Sequence, residues 1–269
     1  MRTIVWIALG LGGFVGSVRY LEARSVFFPS SSLSRLPSEA GLDYEDVWIT
    51  SGGHRLHGWW IPAAHPRGCL VFFHGNAGNI GDRVEKVALF TRMGLNVLIV
   101  DYRGYGHSEG RPSEKGLYED AAEVYRYARE NKGVSIEKMV VYGASLGGAV
   151  AVDLAARVPV GALIVDSSFT NAQAMARRMF PWMPVAGWML KTRFDSLDKI
   201  QRIDAPKLII HSRQDELVPF AMGQALFEAA KAPKEFLEIQ GGHNDSFVHD
   251  QQAFVRGVRA FLQRHLSDP

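Results

Sequence analysis

Two serines in this chain lie in the pattern Gly-x-Ser-x-Gly, which can hold a hydroxyl on a tight turn and expose it for nucleophilic attack. They are Ser108 in "GHSEG" (106–110) and Ser145 in "GASLG" (143–147). At ordinary glycine and serine usage a chain of this length shows the bare pattern by chance about 0.1–0.2 times, so the flanking residues must decide. Attack from such a turn requires a buried strand running straight into a helix. The turn strains the serine backbone, its neighbours must be small, and the helix N-terminus points its dipole at the reacting oxygen. "KMVVYGASLGGAVAVDLAARV" supplies strand, small residues and apolar helix in that order. "DYRGYGHSEGRPSEKG" does not: its strand ends at Asp101, and Pro112 follows the serine without a helical run. Ser145 is the candidate nucleophile, and Ser108 is a loop residue.

A serine hydroxyl needs a general base, and the base needs an acid to orient it. For a serine on a strand–helix turn the acid and then the histidine are expected downstream. Three histidines lie beyond a plausible acid: His243, His249 and His265. His243, in "QGGHND", directly follows the apolar run "EFLEI", which sets it at a strand's carboxyl end. His249 falls near the start of the last helix, and His265 on that helix's polar face. The acid is assigned to Asp215 in "KLIIHSRQDELVP", with neighbouring Glu216 expected to point the other way. Asp166, ending "ALIVD", is a second candidate one strand earlier. Asp204 precedes its strand and so lies at the wrong end, while Asp245 is close enough to His243 for local hydrogen bonding only. Developing negative charge needs donors, and the turn "FFHGNAGN" offers the backbone N–H of Asn76 to pair with that of Leu146. One such donor is worth about 3 kcal/mol of barrier. His74 in the same turn reads as a structural hydrogen-bonder.

These residues must be positioned by the elements between them. Short apolar runs, "CLVFF" (69–73), "NVLIV" (96–100), "MVVY" (139–142), "ALIVD" (162–166), "KLIIH" (207–211) and "EFLEI" (235–239), alternate with helical stretches such as 113–131 and 147–158. That alternation predicts an α/β fold, a mostly parallel central sheet with helices on both faces, whose ligands bind at the strands' carboxyl ends. "DVWIT" and "RLHGWWIPA", joined through Ser51-Gly52-Gly53, predict a β-hairpin. At 269 residues the chain can form one large domain. Residues 42–269 are read as that domain and 26–41, rich in Ser and Pro, as a linker onto it.

Together "HGNAGN", "DYRGYGHSEG", "GASLGG", the Asp of "SRQDELVP" and "GGHND" resemble the α/β-hydrolase superfamily from about residue 42 to the end. The resemblance implies a serine hydrolase, with "DYRGYGHSEG" as a structural and rim loop. The H-G-N turn and an apolar N-terminus look like the membrane-anchored branch, which includes depalmitoylating thioesterases, lysophospholipases and bacterial serine aminopeptidase-like proteins. H-G-N stands where many lipases carry HGGG, so bulky tertiary esters are not implied as substrates. The family also implies a cap over the pocket, here at about 170–200. This stretch holds Met175, Met179, Met183 and Met189 with Trp182 and Trp188, an adaptable apolar wall for an acyl chain. The same residues equally suit a helix pair packed on the sheet edge. Arg177, Arg178, Lys191 and Arg193 would rim such a cap and could meet anionic headgroups.

Residues 4–18 carry no charge, so 1–25 are read as a single N-terminal membrane anchor, with a cleaved export signal as the alternative. Val15 and Ser17 would be the small residues before the cleavage point. A net charge of +2 is too mild for a nucleic-acid partner. The lone Cys69 sits in an apolar run and excludes an internal disulfide framework. No metal or cofactor is expected: "HRLH" puts His54 and His57 on opposite faces of a strand, and no nucleotide loop is present. The expected function is hydrolysis of a carboxylic ester or thioester of a small or lipid-like acyl substrate by Ser145, His243 and Asp215 through an acyl-enzyme. A serine aminopeptidase-like peptidase and a noncatalytic binding protein on the same fold are the alternatives.

Overall fold

The computed structural model describes residues 26–179, 181–182 and 190–266. The expected anchor or signal at 1–25 lies outside them, as do Met183, Trp188 and Met189 of the expected cap.

The strands in chain order are β1 (Phe28–Pro29), β2 (Glu45–Ser51), β3 (His54–Ile61), β4 (Gly68–Phe73), β5 (Ala77–Gly78), β6 (Leu95–Val100), β7 (Met139–Ala144), β8 (Ala162–Asp166), β9 (Lys207–Ser212) and β10 (Lys234–Ile239). Eight of them form one sheet in the order β10-β9-β8-β7-β4-β6-β3-β2. The expected hairpin is β2–β3, antiparallel with Ser51 opposite His54. β3 also runs antiparallel to β6, and every other pairing in this sheet is parallel. Each apolar run singled out in the sequence is a strand here.

The central strands β4, β6, β7, β8 and β9 read as continuous apolar runs because both sheet faces are covered there. Leu70, Phe72, Val97, Ile99, Val140 and Tyr142 pack on one face with helices α1 (Val84–Arg92) and α8 (Gln251–His265). Val71, Phe73, Leu98, Val100, Val141 and Val165 pack on the other. That second face is covered by α2 (Glu114–Glu130), α3 (Leu146–Ala155), α5 (Ser196–Ile200) and α6 (Phe220–Ala229). α3 is buried along its whole length, which explains its apolar composition all round. Each fully buried aliphatic side chain contributes roughly 1.5–3 kcal/mol. The two remaining helices among the described residues are α4 (Ala172–Met179), inside the expected cap, and α7 (Ser246–His249).

Residues 26–41, read from the sequence as a linker, are structured and packed on the domain. β1 pairs in parallel with β5, Phe28 opposite Ala77 and Pro29 opposite Gly78. Phe27 is buried edge-on against Phe194 at 6.2 Å, and Pro37–Ala40 form a short 3-10 turn. Cys69 is buried on β4, and burial pushes its thiol up to about 12, as its place in an apolar run requires.

Because β4, β7, β8, β9 and β10 run parallel, their carboxyl ends share one edge. His74-Gly75-Asn76, Ser145, Asp215 and His243 follow those ends, and Asp166 is the last residue of β8.

Candidate active site

β7 passes directly into α3 through Ser145, whose backbone lies at φ 53°, ψ −116°. A non-glycine residue held there costs on the order of 1–3 kcal/mol, so the surroundings must impose it. The Ser145 N–H donates to the Asp166 carbonyl at 2.8 Å, and the Ser145 carbonyl accepts from Gly148 N–H at 3.0 Å and Ser168 Oγ at 2.7 Å. The flanking glycines are required by space. A Cβ on Gly143 would sit 2.1 Å from the Gly147 carbonyl oxygen, and one on Gly147 2.0 Å from that of Phe73.

His243 and Asp215 arrive from two neighbouring strand ends. His243 Nε2 lies 3.0 Å from Ser145 Oγ, and its Nδ1 lies 2.7 Å from Asp215 Oδ2. With the proton on Nδ1 donated to the carboxylate, the Nε2 lone pair faces the serine hydroxyl, the orientation a general base needs. The other carboxylate oxygen accepts from Val218 N–H at 2.7 Å and Leu217 N–H at 3.0 Å. Burial opposes ionisation of Asp215. The nearby His211 and His243 imidazoles and the Val218 N–H outweigh it and hold the carboxyl well below the usual carboxylate range. The three residues singled out in the sequence therefore meet in one hydrogen-bonded line.

Three further residues hold this line, and sequence reading did not assign them that work. His211, buried at the end of β9, donates from Nε2 to the Val218 carbonyl at 2.9 Å and stands 3.5 Å from Asp215 Oδ2. Its signal was a histidine inside an apolar strand, four residues before the acid. Glu216, expected to point away, turns back and accepts the His243 backbone N–H at 3.0 Å. The turn is tied down at Ser212, whose Oγ bonds the Gly241 carbonyl at 2.5 Å, so it does not follow the regular path. Ser168 holds the strand–helix turn through its Oγ on the Ser145 carbonyl.

The other candidates fall elsewhere. Asp166 is buried and paired with Lys86 Nζ at 2.9 Å, with the Tyr142 hydroxyl, and with Ser167 Oγ at 3.0 Å. Burial works against its charge, but the Lys86 ammonium and those hydroxyls prevail and keep the carboxyl below its ordinary range. Asp245 accepts from Gly242 N–H at 2.7 Å, the local role expected of it. Asp204 bonds Lys231 at 3.3 Å. His249 is exposed on α7, and His265, expected on a solvated face, pairs with Glu235 at 3.1 Å. Ser108 is buried in the loop after β6, donating to the Asp101 carbonyl at 2.7 Å and accepting from His57 N–H at 2.9 Å. His57 Nε2 lies 2.7 Å from Asp46. Among the described residues no group of three or more His, Cys, Asp or Glu could hold a metal ion.

The turn after β4 lies against Ser145: a Cβ on Gly75 would sit 3.6 Å from Ser145 Cβ. His74 is turned into the core, where its Nδ1 bonds the Gly75 carbonyl at 2.7 Å and its Nε2 lies 3.2 Å from Asp101. Asn76 follows on the same turn. Leu146 is the first residue of α3, and a first-turn N–H has no partner inside its own helix.

Residues 64–199 match the family described as serine aminopeptidase, S33. An uncharacterised protein of Mycobacterium tuberculosis is 35% identical over 97% of this chain and 94% of its own length. Human alpha/beta hydrolase domain-containing protein 17B is 34% identical over 81% of this chain and 74% of its own length. The Arabidopsis thaliana alpha/beta hydrolase domain-containing protein WAV2 is 32% identical over 95% and 93%. Among solved structures, the Pyrococcus furiosus esterase Pf2001 superposes with a TM-score of 0.78 over 90% of this chain and 99% of that one, at 20% identity. That last likeness speaks for the fold alone.

Proposed function

The chain belongs to the α/β-hydrolase superfamily, and from that premise we propose that it is a serine hydrolase cleaving carboxylic esters or thioesters through an acyl-enzyme. The observation that carries this reading is the line from Asp215 Oδ2 to His243 Nδ1 at 2.7 Å and from His243 Nε2 to Ser145 Oγ at 3.0 Å, ending on a strained serine at a helix N-terminus.

In this mechanism Ser145 Oγ attacks the acyl carbon while its proton passes to His243 Nε2. Asp215 stabilises the imidazolium, and the backbone N–H groups of Asn76 and Leu146 receive the oxyanion. Collapse of the tetrahedral adduct breaks the bond to the alcohol or thiol, which leaves with the proton from His243. Water then gives a proton to the same nitrogen and attacks the acyl carbon. The second collapse releases the carboxylic acid and returns the proton to Ser145.

An acyl chain is the favoured substrate portion. Met175 packs against the core from α4, and Met179 and Trp182 are exposed in the cap stretch, which supports an apolar wall. Arg177, Arg178, Lys191 and Arg193 are exposed on the same stretch and suit an anionic surface. Membrane attachment through residues 1–25 remains part of the proposal. Among the described residues no helix is long and apolar enough to cross a membrane. Carbonate extraction of the full-length protein, with N-terminal sequencing, tests it. A mature chain beginning near residue 18 would show export after signal cleavage instead.

The function is tested with p-nitrophenyl esters and acyl thioesters of two to ten carbons, beside aminoacyl anilides for the peptidase alternative. Each buried methylene can contribute about 0.8 kcal/mol, so efficiency should rise with acyl length before levelling off. Trp182→Ala should flatten that rise and leave acetyl esters almost untouched. Preference for the anilides would give the peptidase reading, and no turnover with no labelling of Ser145 by a fluorophosphonate would leave a binding protein.

A further inference from the structure

We propose that residues Val26–Ser32 form a strap that aims the oxyanion turn, with the Asn76 side chain as its positioning residue. The inference rests on the reading of Asn76 N–H as an oxyanion donor.

The Asn76 side chain is committed away from Ser145. Its Nδ2 donates to the Val26 carbonyl at 2.6 Å, and its Oδ1 accepts from the Tyr105 hydroxyl at 2.9 Å and from Phe28 N–H at 3.4 Å. One amide thus binds groups that lie 29 to 50 residues away from it in sequence, on either side. Burial raises the Tyr105 hydroxyl above its ordinary range, so it stays a neutral donor.

The strap continues past this point. Beyond the β1–β5 pairing, Ser30 N–H donates to the Gly78 carbonyl at 3.2 Å. Asn79 Nδ2 donates to the carbonyls of Ser30 at 3.0 Å and Ser32 at 2.7 Å. Gly106 N–H also reaches the Ser30 carbonyl, at 2.9 Å. On the other side Phe27 is buried against Phe194, which follows the cap. The strap is therefore fixed at its ends and bonded to the turn along its middle.

An oxyanion donor works only when aimed within about 0.5 Å of its productive place. The turn after β4 has left the large sheet, so β6 and β7 no longer hold it. Gly75 faces the nucleophile, and the strap with Tyr105 supplies the support behind Asn76. Motion of the strap is motion of the oxyanion donor. At Val26 the chain entering the domain meets the catalytic edge first, through Asn76, one of the two residues whose N–H receives the oxyanion.

The test uses full-length protein carrying Asn76→Ala, which keeps the backbone N–H, or Phe27→Ala, which loosens the strap without touching the turn. Readouts are kcat and KM for p-nitrophenyl butyrate, affinity for a trifluoromethyl ketone that adds to Ser145 as an oxyanion, and the melting temperature. Loss of a whole donor costs about 10²–10³ in kcat, and a misaimed donor should cost less. Expected are a kcat loss of roughly 10- to 100-fold, KM within about threefold, and ketone affinity falling in step with kcat/KM. Tyr105→Phe, the gentlest change, should fold normally and show the same pattern at a few-fold. Variants within about twofold of wild type in kcat, or a kcat loss with unchanged ketone affinity, overturn the strap. Wild type that neither turns over esters nor labels at Ser145 overturns the hydrolase reading itself, and the strap's catalytic role with it.

Discussion

Asp215→Asn changes one atom of the carboxylate, and the structure says which atom. Oδ1 accepts two backbone N–H groups, from Val218 at 2.7 Å and Leu217 at 3.0 Å. An amide nitrogen placed there would face two donors, so the amide oxygen takes that position and the NH₂ takes the place of Oδ2. It then points at His243 Nδ1, now 2.7 Å from Oδ2. A donor facing Nδ1 makes that nitrogen an acceptor and moves the ring proton to Nε2, which lies 3.0 Å from Ser145 Oγ. The histidine then presents N–H where a base must present a lone pair. The exchange also removes the charge that stabilises the imidazolium. In a serine protease of another fold the same exchange costs about 10⁴ in kcat, equivalent to about 5.5 kcal/mol of barrier at about 1.36 per decade. A loss of about 10³ to 10⁴ in kcat with little change in KM is expected for p-nitrophenyl butyrate, and Asp215→Ala, which leaves both tautomers open, should be no worse. Asp215→Asn within tenfold of wild type would refute the reasoning, as would an alanine variant far below the asparagine one.

Ser145→Ala should abolish fluorophosphonate labelling with the fold kept. Ser108→Ala should keep labelling but lose two buried hydrogen bonds, worth about 1 kcal/mol each, and so lower the melting temperature by about 4–8 °C. Labelling that survives Ser145→Ala and vanishes in Ser108→Ala would reverse the assignment. Gly147→Ala should cost about 3 kcal/mol or more, read as a shift in denaturant midpoint, because its Cβ would lie 2.0 Å from the Phe73 carbonyl oxygen, where only backbone could yield. Asp166→Asn should keep most turnover while losing stability. Its folded carboxyl lies below the ordinary range, so its stabilising contribution is complete above the unfolded value of about 3.9 and disappears as pH falls through the folded one. The gap in midpoint between wild type and variant at pH 7 should therefore close below about pH 4. Severe loss of turnover in Asp166→Asn, beside a mild Asp215→Asn, would move the acid to β8.

The parts most legible in the sequence are those set by local pattern and two-sided burial. The five buried parallel strands β4, β6, β7, β8 and β9 are marked by apolar runs because covered sheet faces leave no polar alternation, whereas edge strand β10 is half-buried and keeps two glutamates. The strand–helix turn at Ser145 is marked because close approach of Gly143 and Gly147 to neighbouring backbone excludes any side chain. Asp215 and His243 could be found because the strand before each ends in a short loop at the edge where Ser145 lies. What escaped depends on long-range partners. The bonds from Val26 to Asn76 and from Ser30 to Asn79 leave no period in "VFFPSSS", which reads by composition as a linker. Glu216 escaped because its direction is set by a turn tied to Gly241, and His211 because a histidine in a strand shows nothing of the carboxylate beside it.

The second Gly-x-Ser-x-Gly match also has a physical account. Asp101 ends the run after β6, and its Oδ1 accepts Ile80 N–H at 3.0 Å while lying 3.2 Å from His74. Ser108 folds the loop back by donating to the Asp101 carbonyl. Gly106 stands at φ 51°, where a Cβ would lie 1.9 Å from Asp101 Oδ2, so only glycine lets the loop close over that carboxylate. Closure brings Tyr105 to Asn76 and Gly106 N–H to Ser30. The small residues that make Ser145 accessible at one strand end thus serve, at the other, to pack a loop behind the turn that faces it. The same short pattern arises from two different steric demands. What separates them is whether the backbone after the serine can continue as a helix: Leu146 begins α3, whereas Pro112 follows Ser108 and α2 starts only at Glu114.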